Sequence, residues 1–151
     1  MEKGKQQSVE QYRISVDESH HSTYQELAKR TDRENTEKGT DIRPFENMKN
    51  LFMLATFIGY NNDKRIPLEK GIGIFNWRGF STDEVSLLDA LSIAVTNEVD
   101  VLNDRIKILQ IAEEYANGGI LQIEEEVCEM PGARIGNLLD LLANCIQHES
   151  A

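Results

Sequence analysis

Apolar residues recur at helical spacing through most of the chain, and that spacing predicts about six helices. The strongest run, Leu51 to Gly59, has Thr56 as its only polar residue. A helix over 44–58 places Met48, Leu51, Phe52, Ala55 and Ile58 on one face, with Leu54 and Phe57 on the other. A helix apolar nearly all round belongs at the centre of a fold. Pro44 suits its first turn and Gly59 its C-terminal stop. Further on, Ser81-Thr82-Asp83-Glu84 has capping-box spacing and opens a helix that buries Val85, Leu88, Ala90, Leu91 and Val95. A helix over 98–115 turns Leu102, Ile106, Leu109 and Ala112 inward, and Asn117-Gly118-Gly119 closes it. A short acidic helix over 119–129 follows. After Met130-Pro131-Gly132, a last helix over 133–147 carries Ile135, Leu138, Leu139, Leu142, Cys145 and Ile146 at three- and four-residue intervals.

The N-terminal part is more polar. Tyr12 to Val16 alternates at period two, as a short strand does, but a lone strand needs a partner. Asp17-Glu18-Ser19 starts a helix to about Arg30 that buries His21, Tyr24 and Leu27. Thr31 to Arg43 is a mixed-charge linker. Residues 1–43 thus read as a polar arm with one helix and a linker, and 44–151 as the helical core domain. Between the helices, Lys64 to Phe80 holds Pro67 and three glycines, which predicts an irregular apolar loop packed across the 44–58 helix. The expected fold is all-α: a compact single-domain bundle of about six helices, with a central apolar helix and a long packed loop.

Length and charge narrow the function classes. The 151 residues suffice for one ordinary core. The formal charge of −10 is uneven: −2 over 1–28, +3 over 29–80 and −11 over 81–151. Phosphate neutralisation by Lys and Arg drives non-specific DNA affinity, so the C-terminal half repels duplex and suits a basic protein partner. Any nucleic-acid contact falls to the middle segment. MEKGKQQSVEQ has no apolar signal region and the 51–59 run is too short to span a bilayer, which predicts a cytoplasmic protein without a membrane role. Cys128 and Cys145 are too few for a disulfide framework.

Candidate chemistry is sparse. Cys145 and His148 form a single ligand pair where a structural zinc needs four ligands, and adjacent His20 and His21 point about 100° apart on a helix. Glu113-Glu114 and Glu124 to Glu126 read as solvated faces. Glu69-Lys70 is the nearest imitation of a nuclease motif, and Gly71-Ile72-Gly73 lacks the third glycine of a dinucleotide site. No catalytic residue, cofactor or metal is expected, and a cryptic metal-dependent nuclease is the remaining enzymatic alternative. The basic loop offers Lys64, Arg65, Lys70 and Arg78 to phosphates and Trp77 to a base, against the plainer reading of Trp77, Phe75 and Phe80 as core anchors. The stripe from Leu138 to Ile146 reads either as core or as a homodimer seam.

The segment Phe45…Met48-Lys49…Leu51-Phe52-Met53-Leu54-Ala55…Gly59-Tyr60…Lys64-Arg65…Pro67-Leu68…Ile74-Phe75…Trp77…Phe80 resembles the DNA phosphorothioation-associated protein 4 family. Leu87-Leu88…Ala90-Leu91, Ile108-Leu109…Glu113-Glu114-Tyr115-Ala116-Asn117-Gly118-Gly119 and Leu138-Leu139…Leu142 extend the likeness to about 45–146. Gly-Tyr, Lys-Arg-x-Pro-Leu, Phe-x-Trp and Glu-Tyr-Ala-Asn-Gly-Gly are its most specific pieces. The resemblance implies a bacterial system that replaces a non-bridging phosphate oxygen of DNA with sulfur, or the restriction modules that use this mark against phage. It implies an accessory or regulatory subunit with protein partners in that system, and it carries no catalytic residues onto this chain.

Overall fold

The computed structural model describes residues 9–28, 43–129 and 133–148, and of 146–148 the backbone only. The predicted linker Thr31 to Arg43, except Arg43 itself, the helix end at Lys29 and Arg30 and the Met130-Pro131-Gly132 break lie outside the described residues.

The architecture is mostly helical but is not an all-α bundle of six. Among the described residues there are five α-helices and an antiparallel pair of strands. The alternating segment is strand β1, Arg13–Asp17. Its partner is β2, Gly71–Asn76, inside the stretch expected to be an irregular loop. The pairing sets Arg13 against Asn76 and Asp17 against Gly71, with a register shift between Ile14 and Ser15. Glycine normally weakens a strand. Here a side chain on Gly73 would press against that of Arg13, and one on Gly71 against that of Ser15, so neighbours fill the space the glycines leave.

Asp17 ends β1 and caps a 3₁₀ turn, Glu18–His20, which runs into α1, His21–Leu27. Its carboxylate accepts from the Ser19 amide at 3.0 Å and the Ser19 hydroxyl at 2.7 Å, and from the backbone amides of Glu69 and Lys70 at 2.7 and 3.3 Å. These donors, Ser19 foremost, hold the acid down at about 2. The helix is shorter than expected: Ala28 is extended and pairs with Phe45. Tyr12, Ile14, Val16, Tyr24 and Leu27 all join the main core, so this N-terminal part is built into the same body as the later helices.

The central helix α2 is Met48–Asn61, capped by the Asn47 side chain on the Asn50 amide at 2.9 Å rather than begun at Pro44. It runs through Gly59 without stopping. Thr56, the lone polar residue of the apolar run, is fully buried and donates to the Phe52 carbonyl at 2.8 Å and to the Ala112 carbonyl at 3.4 Å. Helix α3, Thr82–Thr96, has the expected capping box, Glu84 amide to Ser81 hydroxyl and Ser81 amide to Glu84 carboxylate, and ends on Asn97 at φ 57°. A 3₁₀ turn, Val99–Asn103, leads to α4, Arg105–Ile123, with Asp104 capping the Lys107 amide. The predicted boundaries at 98 and 115 fail because α4 starts later and passes straight through Gly118-Gly119. It continues as a π-helical turn, Glu124–Cys128, in place of a separate acidic helix. Helix α5 is Arg134–His148, close to expectation.

The core is centred on α2 crossing α4. Phe52, Phe75 and Phe80 form an aromatic cluster over α2, with ring centroids 5.3–6.1 Å apart. The expectation that the 64–80 stretch packs on the central helix therefore holds for Phe75 and Phe80, one from a strand rather than an irregular loop, while Ile66 is exposed and bonds α4 instead.

Candidate functional site

The residues that distinguish this sequence most, Gly59-Tyr60, Lys64 to Leu68 and Glu113 to Gly119, meet in one place. A Cβ on Gly59 would run into the Tyr115 carbonyl, and one on Gly119 into the Ala55 carbonyl. These two glycines let α2 and α4 cross backbone to backbone, which any side chain would prevent. Gly118 does the same for the loop, since a Cβ there would strike the Lys64 carbonyl. Gly59 and Gly118-Gly119 thus serve close approach, not helix termination.

The loop after α2 is then sewn onto α4. Lys64 donates its amide to the Gly59 carbonyl at 2.8 Å, and Ile66 donates its amide to the Glu114 carbonyl at 3.1 Å. Asn117, buried in α4, donates its side-chain amide to the carbonyls of Ile66 and Pro67 at 3.1 and 3.3 Å. Arg65 donates from two nitrogens to one oxygen of Glu114 at 3.0 and 2.8 Å, and its guanidinium lies 5.8 Å from the centre of the Tyr115 ring. Tyr60 meets the same ring edge-on at 5.7 Å.

The five contact candidates do not form one basic patch. Arg65 is exposed but paired with Glu114 at 2.8 Å. Lys70 pairs with Glu18 at 3.2 Å, a well-exposed pair of little energetic weight. Trp77 is half-buried; it donates its ring N–H to the Val9 carbonyl at 2.5 Å, and the Arg105 guanidinium sits over its ring at 5.7 Å. Arg105 is held in turn by Asp89 at 2.5 Å. Lys64 and Arg78 are exposed.

One buried carboxylate was misread in the sequence. Glu113 does not belong to a solvated pair with Glu114; it is 5% exposed and points the other way, into β1. It accepts from the Tyr12 hydroxyl and from the Ser15 amide, both at 2.6 Å. Burial pushes its carboxyl up to about 7 despite those two donors. Burial likewise raises the Tyr12 hydroxyl. The signal was available: Glu113 lies on the stripe Leu109, Ala112, Ala116 and Ile120, where a carboxylate is out of place unless it has a partner. With one oxygen engaged by Ser15 of β1 and the other by Tyr12, the residue before the strand, Glu113 holds the strand in place.

A second polar cluster joins α1 to the π-helical turn. His20 approaches Glu124 at 2.6 Å and Thr23 donates to the other Glu124 oxygen at 2.5 Å. The Tyr24 hydroxyl lies beside them, buried and without a hydrogen-bond partner among the described residues. Burial raises the nearby Cys128 thiol, the opposite of what a thiolate nucleophile requires. Among the described residues no group of three or more His, Cys, Asp or Glu could hold a metal ion, and no helix is long and apolar enough to cross a membrane.

A search of curated proteins and a search of solved structures each returned no match. The family model of DNA sulphur modification system-associated protein 4 matches residues 13–150, which includes β1, the α2–α4 crossing and α5. The chain belongs to the DNA sulphur modification system-associated protein 4 family.

Proposed function

We propose that this chain is a non-enzymatic accessory subunit of a bacterial DNA sulphur-modification system, or of the restriction module that reads its mark against phage, and that it acts by binding a protein of that system. The supporting observation is where the distinguishing residues go. Gly59, Arg65, Glu114, Asn117, Gly118 and Gly119 lock two helices and a loop together, and Glu113 anchors a strand. Those are structural duties, and they fit a scaffold better than a reaction centre. Exposed apolar side chains include Leu87 on α3 and Val99 and Leu102 on the turn after it, and their neighbours in sequence Asp83, Glu98 and Asp100 are exposed as well. Exposed apolar positions with acidic neighbours in sequence suit a partner with basic flanks.

Direct DNA binding through residues 64–78 is the less favoured alternative, because Arg65 and Lys70 are paired within the chain and Trp77 is covered by Arg105. Two remaining cations are few against a formal charge of −10. The test is co-purification of the tagged chain from cells expressing the whole system. Recovery of a stoichiometric partner supports the reading; recovery of none of the system's proteins defeats it.

A further inference from the structure

Helix α5 carries more apolar surface than the other described residues cover. At about 100° per residue its apolar positions span roughly 160° of arc. One side of that arc is seated: Leu141 is 1% exposed, and Leu138 and Cys145 pack against the core. The other side is open, with Ile135 42% and Leu139 61% exposed. The open side adjoins a groove of about 330 Å³ between α5 and α2, lined by Leu54, Phe57, Tyr60 and Leu142.

Three features point to what covers this face. Leu139 is flanked three residues before and four after by Gly136 and Ala143, both exposed, so a protruding side chain and a shallow place share one face. A glycine inside a helix costs about 1 kcal/mol relative to alanine. Nothing among the described residues requires it at Gly136, since a Cβ there would meet none of their atoms within 4 Å. The third feature is charge. Residues 81–151 carry a net −11, yet α5 has one cation, Arg134, and one anion, Asp140. Two copies of this strongly acidic protein can therefore meet along α5 with little mutual repulsion.

We propose that the open face of α5 packs antiparallel against α5 of a second copy of this chain, Leu139 of each copy settling beside Gly136 and Ala143 of the other. A two-fold axis makes such a patch its own complement. The helix is about 22 Å long, so the face buries less than the roughly 1,200 Å² of a standard interface, and the dimer is a weak, concentration-dependent one. The proposal does not depend on the partner-binding reading above.

Sedimentation of the purified full chain between about 1 and 500 µM tests it, since a weak interface gives micromolar dissociation. The wild type is expected to rise toward twice its 17.2 kDa mass across that range. Leu139→Asp and Gly136→Gln, both at exposed positions, are expected to stay monomeric with unchanged helical circular dichroism. Gly136→Gln should also unfold at an equal or higher temperature, which separates a lost interface from a lost fold. A wild type monomeric at every concentration overturns the proposal, as does a dimer that survives both substitutions. A monomer whose α5 face instead captures another protein of the system, with capture lost in Leu139→Asp, overturns it as well.

Discussion

The Tyr12 hydroxyl donates to the Glu113 carboxylate at 2.6 Å, joining the first strand to the middle of α4 across 101 positions of sequence. The other oxygen takes the Ser15 amide, so one buried carboxylate holds a strand that has one strand neighbour among the described residues.

That arrangement fixes a pH dependence. The Glu113 carboxyl is raised from 4.5 to about 7 on folding. Its protonation therefore stabilises the fold fully below about 4.5, and the benefit is lost as pH rises through about 7. Asp17 works in the opposite sense and lower down: its contribution is present above 3.8 and lost as pH falls through about 2. Between pH 5 and 8 thermal stability of the wild type should fall more steeply than that of Glu113→Gln, the difference reaching up to roughly 3 kcal/mol. Glutamine can accept from the Ser15 amide and donate to Tyr12, whereas Glu113→Leu strands both donors. The leucine variant should be less stable than the glutamine one by at least about 2 kcal/mol. Denaturant titrations of the three proteins at pH 5 and pH 8 measure all of this; parallel profiles for wild type and Glu113→Gln would contradict it.

The helical glycines should respond in opposite directions. Gly59→Ala and Gly119→Ala each force a methyl into a carbonyl of the facing helix and should cost more than about 3 kcal/mol or prevent folding, since a packed crossing cannot simply give way. Gly136→Ala meets no atom of the described residues and should stabilise by about 0.5–1 kcal/mol. Urea midpoints below 1 µM protein, under roughly the concentration where a weak dimer forms, isolate the monomer effect.

Asn117 should matter locally more than globally. Asn117→Ala removes both side-chain donations to the Ile66 and Pro67 carbonyls while leaving α4 intact. Amide exchange at Ile66, whose N–H bonds the Glu114 carbonyl, should accelerate at least about tenfold with a loss of only about 1–2 kcal/mol overall. Arg65→Ala, at a partly exposed pair, should cost under about 1 kcal/mol. Equal protection in Asn117→Ala and wild type would show that the loop is held by something else.

Plain and sulfur-modified duplex should both fail to bind the isolated chain above about 100 mM salt, where few phosphate contacts cannot hold. A gel shift at 50 and 200 mM reads this directly. A shift that persists at 200 mM and disappears in a Lys64→Ala, Arg78→Ala double variant would restore the DNA-binding alternative.

Local signals in the sequence carried far. The Ser81–Glu84 capping box and the three- and four-residue rhythm of α5 depend only on near neighbours, and the start of α3 and the span of α5 follow from them. What misled was local chemistry with a distant cause. A glycine that ends a helix and a glycine that admits another helix look alike in one sequence, so Gly59 and Gly118-Gly119 read as stops. Strand β2 was hidden because Gly71 and Gly73 leave no alternation to see, and its partner lies more than fifty residues upstream. Arg65, Lys70 and Trp77 looked available because their partners, Glu114, Glu18 and Arg105, are remote or unremarkable in sequence.

The central claim is that this chain serves its system by holding a protein. Size-exclusion chromatography of the purified chain with each purified protein of the modification and restriction modules, before and after nuclease treatment, tests it most directly. The account predicts stoichiometric co-elution with at least one of them, insensitive to nuclease and to Lys64→Ala with Arg78→Ala, and abolished by Leu87→Glu with Val99→Asp. Co-elution with none, or co-elution that vanishes when DNA is digested, would contradict it.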